Sequence, residues 1–198
     1  LKRGLLSLMI SCKLILELPK ATESEIENQS SILPFQLSPE PREGMQLTIP
    51  ENHIKMERSF MFNTPVPEAL FHHLLSSLNQ LHFNHRKEIT KNFWRFGITL
   101  ADSRENAAQV TYIRSQQSLN IVTHGPKNPE TFLREIVQTV ELLVSNWFPS
   151  IEVDCIIKFA NMKLFMSDIE TAVSQNEKTF NCNGVFALSD IVPDLTLK

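Results

Sequence analysis

Glycine is scarce in this sequence of 198 residues, which holds only Gly4, Gly44, Gly97, Gly125 and Gly184. Without clustered glycines the backbone cannot approach a phosphate closely, and neither GxxxxGKS/T nor GxGxxG can be written anywhere in the chain. A GxSxG elbow is also lacking, and the serines fall in linkers or on expected helices, which argues against a serine nucleophile. Cysteine is limited to Cys12, Cys155 and Cys182, odd in number and far apart, so reduced thiols in an intracellular setting are expected. An excess of either charge is lacking too: 19 Lys and Arg stand against 22 Asp and Glu, a net of -3. Such a balance disfavours a general nucleic-acid binder and a polybasic membrane binder.

What the chain does have is 42% hydrophobic residues, and a chain of this size can bury about 70% of its extended surface, enough for a core without disulfides. Near the start, Lys2 and Arg3 precede an apolar run from Gly4 to Leu18 that superficially resembles a signal peptide. Lys13 and Glu17 interrupt the run, no small-residue cleavage site follows, and it is too short to cross a bilayer. It reads instead as the end of a preceding unit in a longer protein. Residues 19–31 are polar and acidic and read as a linker, placing a boundary there. Between Glu17 and Glu51, seven acidic residues oppose two basic ones, while Pro34, Pro39, Pro41 and Pro50 keep the stretch irregular. Two short apolar runs inside it, Ser31 to Leu37 and Met45 to Ile49, suit short strands.

From there strands and helices alternate. Arg58 to Asn63 predicts a strand. Pro67 opens a helix reaching Leu81, with Val66, Leu70, Leu74, Leu78 and Leu81 at spacings of three and four. Phe93 to Leu100, Ala107 to Arg114 and Leu119 to His124 predict three strands of an antiparallel meander. Within the first of these, alternation puts Trp94 and Phe96 on one face and Phe93 and Arg95 on the other. The strongest helix signal runs from Pro129 to Trp147. Phe132, Ile136, Val140, Leu143, Val144 and Trp147 recur there at the helical period, and Phe148-Pro149 closes it. A strand over Ile151 to Phe159, a helix over Phe165 to Ser174 and an extended pair around Asn183-Gly184 complete the chain. The expected class is α+β: an antiparallel sheet with helices mainly on one face. Trp94, Phe132, Ile136, Val140, Leu143 and Trp147 are the expected core.

Candidate chemistry is thin. His72, His73, His82 and His85 lie within fourteen residues. However, His72 and His73 point about 100° apart on one helix, so a solvated face is the stronger reading than a zinc site. Cys155 and Cys182 alone make an incomplete metal site. Asp102, Glu105, Asp154, Asp168 and Asp190 fall in turns and helix caps, where Asp is expected for local hydrogen bonding. The residues therefore show no catalytic site, no metal and no cofactor in this chain. A metal-binding or hydrolytic domain, or a peptide-binding module at a sheet edge, stays open beside a scaffold.

Phe93-Trp94-Arg95-Phe96-Gly97-Ile98, the meander, Asn146-Trp147-Phe148-Pro149 and Ile191-Val192-Pro193-Asp194-Leu195 together resemble the COR module of Roco proteins. Ser31-Ile32-Leu33-Pro34 and Phe60 to Phe71 resemble further stretches of its C-terminal half, COR-B. The resemblance implies that residues 1–19 end the winged-helix-like COR-A part, 20–31 are a linker, and 32–198 form COR-B. It implies a non-catalytic module that mediates homodimerisation and couples an upstream Ras-like GTPase, Roc, to a downstream kinase or effector. The parent would be a cytoplasmic leucine-rich-repeat kinase-like protein, binding GTP/GDP and ATP/Mg in neighbouring domains. By the same resemblance Phe93, with Arg95 beside it, would lie near the contact with Roc. Some members carry a CPxC-like pair after the strand near Ile151. Here that place reads Ile156-Ile157-Lys158-Phe159-Ala160, so no zinc knuckle is implied.

Overall fold

A computed structural model describes residues 16–17, 31–80, 89–103, 105–127, 129–159, 162–182 and 184–192. The expected COR-A end, apart from Leu16–Glu17, and the linker up to residue 30 lie outside the described residues. So do Cys12, Leu81, His82, His85 and the motif beyond Val192.

The strands are β1 (Leu16–Glu17), β2 (Ser31–Ile32), β3 (Ile54–Phe62), β4 (Ile89–Trp94), β5 (Gly97–Asp102), β6 (Ala107–Ile113), β7 (Ser118–Gly125), β8 (Val153–Phe159), β9 (Met162–Phe165), β10 (Thr179–Asn181) and β11 (Val185–Ala187). The helices are α1 (Glu68–Gln80), α2 (Pro129–Trp147), α3 (Met166–Ser174) and α4 (Leu188–Ile191). Seven strands form one antiparallel sheet in the order β4-β5-β6-β7-β3-β8-β9, while β1 pairs with β2 and β10 with β11. The α+β class follows.

Cross-strand register sorts the side chains onto two faces. Phe93 lies opposite Ile98, Ile98 opposite Val110, Val110 opposite Ile121, and Leu119 opposite Phe60. These residues form one face, which α1 and α2 cover with Leu70, Leu74, Leu78, Phe132, Ile136, Val140 and Leu143, all buried. Further along the same face a smaller core joins Ile157 and Leu164 to Ile169 of α3 and Leu188 and Ile191 of α4. All four helices among the described residues therefore pack on this front face. At about 25 cal/mol per Å² of apolar area, burying one such leucine or phenylalanine contributes about 2–3 kcal/mol, which is why the stripe fixes the position of α2.

Several expectations are corrected. The run from Phe93 to Leu100 is not one strand but a hairpin, turning at Arg95-Phe96 between β4 and β5. Trp94 is 2% exposed yet belongs to neither core: it lies on the back face, over Gly97. Phe93 is the one on the helix-covered face, 9% exposed in the main core. Trp147 keeps the spacing of the α2 stripe but joins neither core and is 52% exposed, because its ring lies against His73 of α1. Pro34–Gln36 is a 3-10 turn, and Met45 to Ile49 forms no strand.

Instead, residues 34–53 form a strap. It begins beside α1, with Leu37 against the main core, then rounds the β4–β5 turn. There the Arg95 amide donates to the Ser38 carbonyl at 2.7 Å, and the Arg95 guanidinium donates to the Phe35 carbonyl. On the back face the Thr99 hydroxyl of β5 donates to the Met45 carbonyl at 2.8 Å. The Leu47 amide donates to the Gln109 side chain of β6 at 3.0 Å. A turn in which the His53 amide donates to the Pro50 carbonyl brings His53 onto His124 of β7, and the chain enters β3. The strap thus crosses β5, β6 and β7 in sheet order.

Candidate interaction surface

Polar groups on the described surface converge on no catalytic constellation. Among the described residues, no group of three or more His, Cys, Asp or Glu could hold a metal ion. His72 and His73 both sit on α1; burial holds the His72 imidazole below its usual value, Glu68 opposing and Arg95 reinforcing the shift. His73 is buried and its ring lies tilted against Trp147, with centroids 4.5 Å apart. Cys155 packs against the main core and Cys182 against the smaller one. Asp102 accepts from Asn106, Asp154 from Asn63, while Asp168 and Asp190 occupy the first turns of α3 and α4. No described helix is long and apolar enough to cross a membrane.

The feature that remains is uncharged, part polar and part apolar. Leu142 is 61% exposed beside the half-exposed Trp147, and together they edge a groove of about 320 Å³ between α1 and α2. Ser77 and Gln80 of α1 face Thr139, Leu143 and Asn146 of α2 across it. No charged side chain lines it. The local cause is readable in α2: Leu143 and Val144 continue the buried stripe, whereas Leu142 projects about 100° away from Leu143. An apolar residue off the stripe was the available signal. The ring contact of Trp147 with His73, whose other side meets Phe148, holds the indole at the groove while leaving it half exposed. Large aromatic and aliphatic groups set in a neutral polar rim have the composition of an interface centre.

Of the residues expected at a contact, Phe93 is enclosed beneath the helices and Arg95 clamps the strap; they share no free surface. The expected core residues Phe132, Ile136, Val140 and Leu143 lie together under α2.

Comparison with known proteins adds one finding: the family described as C-terminal of Roc, COR-B domain, matches residues 53–193. No curated protein matches the chain.

Proposed function

Because this chain belongs to the COR-B domain family, we propose that it is the non-catalytic coupling module of a Roco protein. It homodimerises and relays the nucleotide state of the upstream Roc GTPase to a downstream kinase or effector. The parent is then a cytoplasmic GTPase and serine/threonine kinase of the leucine-rich-repeat kinase type, with GTP/GDP and ATP/Mg bound outside this domain. The observation that carries the coupling role is the uncharged Leu142–Trp147 groove. We assign the Roc domain to that groove. Roc is part of the same polypeptide, and tethering raises its effective concentration to the millimolar range, so a modest uncharged patch suffices for a switchable contact.

The test is Leu142→Asp in the full-length protein. The position is exposed, so the melting transition of the domain should change by less than about 0.5 kcal/mol. GTP turnover, or the response of the downstream kinase to nucleotide, should change. Unaltered turnover and unaltered response, with the domain folded, would reject the groove as the Roc contact. Sedimentation of the wild-type protein tests dimerisation separately, and a monomer at micromolar concentration would remove that part.

A further inference from the structure

At the far end of the strap, the Nδ1 atoms of His53 and His124 lie 2.8 Å apart, with ring centroids at 5.0 Å. That distance requires one hydrogen between the two nitrogens, donated by one ring and accepted by the other. The outer nitrogens differ. Nε2 of His53 lies 3.8 Å from a carboxylate oxygen of Glu105, an exposed residue, whereas Nε2 of His124 is buried with no hydrogen-bond partner. The neutral pair is therefore best satisfied in one arrangement. His124 donates through Nδ1, His53 accepts at Nδ1 and carries its own hydrogen on Nε2 toward Glu105, and His124 keeps Nε2 bare.

A further proton has no good place in this arrangement. Keeping the Nδ1–Nδ1 bond would put it on the buried Nε2 of His124, without an acceptor. Putting it between the rings would set two N–H groups against each other. Lys55, directly opposite His124 on β3, adds a like charge on the same face, although Glu57 draws the Lys55 ammonium toward itself and Lys158. From the β5–β6 side the acid beside the pair is Glu105, while Asp102 lies on the other face of β5 and is engaged by Asn106. Burial, and then the neighbouring His53, hold the His124 imidazole below its usual value.

We propose that the His53–His124 pair is a proton-operated latch that holds the strap across the back face at neutral pH and releases it on acidification. With the strap lifted, the His124 ring returns to the ordinary imidazole value of about 6.5. The closed state binds fewer protons than the open one, so closure is fully favoured above about pH 6.5 and weakens as pH falls below it. Each extra proton taken up on opening multiplies the opening constant about tenfold per pH unit. This inference stands on the ring geometry and is independent of the Roc contact.

Hydrogen exchange of the 198-residue chain at pH 7.5 and 5.5 tests it, with rates corrected for intrinsic pH dependence. The Leu47 amide, which reports the strap, should lose at least about tenfold protection at pH 5.5. The Ile121 amide, within the sheet, should not. Equal loss at both amides, or no loss at Leu47, overturns the proposal. His53→Gln should leave Leu47 weakly protected at both pH values, and a retained pH dependence in that variant also overturns it. Should His53→Gln fail to fold, the imidazole resonances of the wild-type chain decide: titration of His124 at or above 6.5 rejects the latch, and titration well below supports it.

Discussion

Gly97 shows how one residue can decide a local arrangement. A Cβ there would stand 2.2 Å from a Trp94 ring carbon and 2.6 Å from the Val110 carbonyl oxygen. The position needs glycine for space, so that the indole can lie flat on β5 while the strap crosses nearby. Gly97→Ala should therefore destabilise the domain by about 1–3 kcal/mol through overpacking, measured by denaturant titration. It should also disturb the Trp94 fluorescence, and an unchanged midpoint would mean the indole can move aside at no cost. This residue also marks the limit of what sequence conveys. Trp94 reads as buried from its neighbours alone, but the face it occupies depends on where the hairpin turns. Arg95-Phe96 turns without a positive φ at either residue, so neither central position calls for glycine or asparagine. An aromatic run interrupted by such a turn looks like an unbroken strand, and every face assignment inside it inverts.

Helices were more legible than strands because their signals are local. The bounds of α2 follow from Pro129 at its start, Phe148-Pro149 at its end and a buried side chain every three or four residues. Ile136 is fully enclosed and Trp147 is not. Ile136→Ala should thus cost about 2–5 kcal/mol, through lost burial and a residual cavity. Trp147→Ala should cost under about 1 kcal/mol in the isolated domain, losing mainly its contact with His73. Comparable losses in a denaturant titration would mean the helix end is part of the core after all. The strap was illegible for the opposite reason. Its hydrogen bonds run to Thr99 and Gln109, side chains more than fifty residues away in the chain, and no periodicity encodes such partners. The groove was not legible: Trp147 continues the helical period of the buried stripe, and only its contact with His73 of α1 shows that it stands half exposed.

Over the whole molecule, two cores of unequal size share one sheet. The larger joins β3 to β7 with α1 and α2, and the smaller joins the β8–β9 end with α3, α4 and the β10–β11 pair. Few buried side chains hold the smaller unit, so it should open before the rest. Native-state hydrogen exchange should show α3 amides exchanging through a lower-energy opening than those of β6 and β7, and identical free energies would establish a single cooperative unit. The strap matters at this scale for how the domain bears load. Tension applied at residue 31 meets isolated bonds at Ser38, Met45, Leu47 and His53 one after another, as a zip fastener is undone. Beyond His53 the pull reaches β3, which is laddered to β7 on one side and β8 on the other, and many bonds must then shear together. A gentle tug from the preceding part of the chain would consequently peel about twenty residues of slack from the back of the sheet before its strands feel any force. The domain is compliant toward its N-terminal neighbour and stiff within.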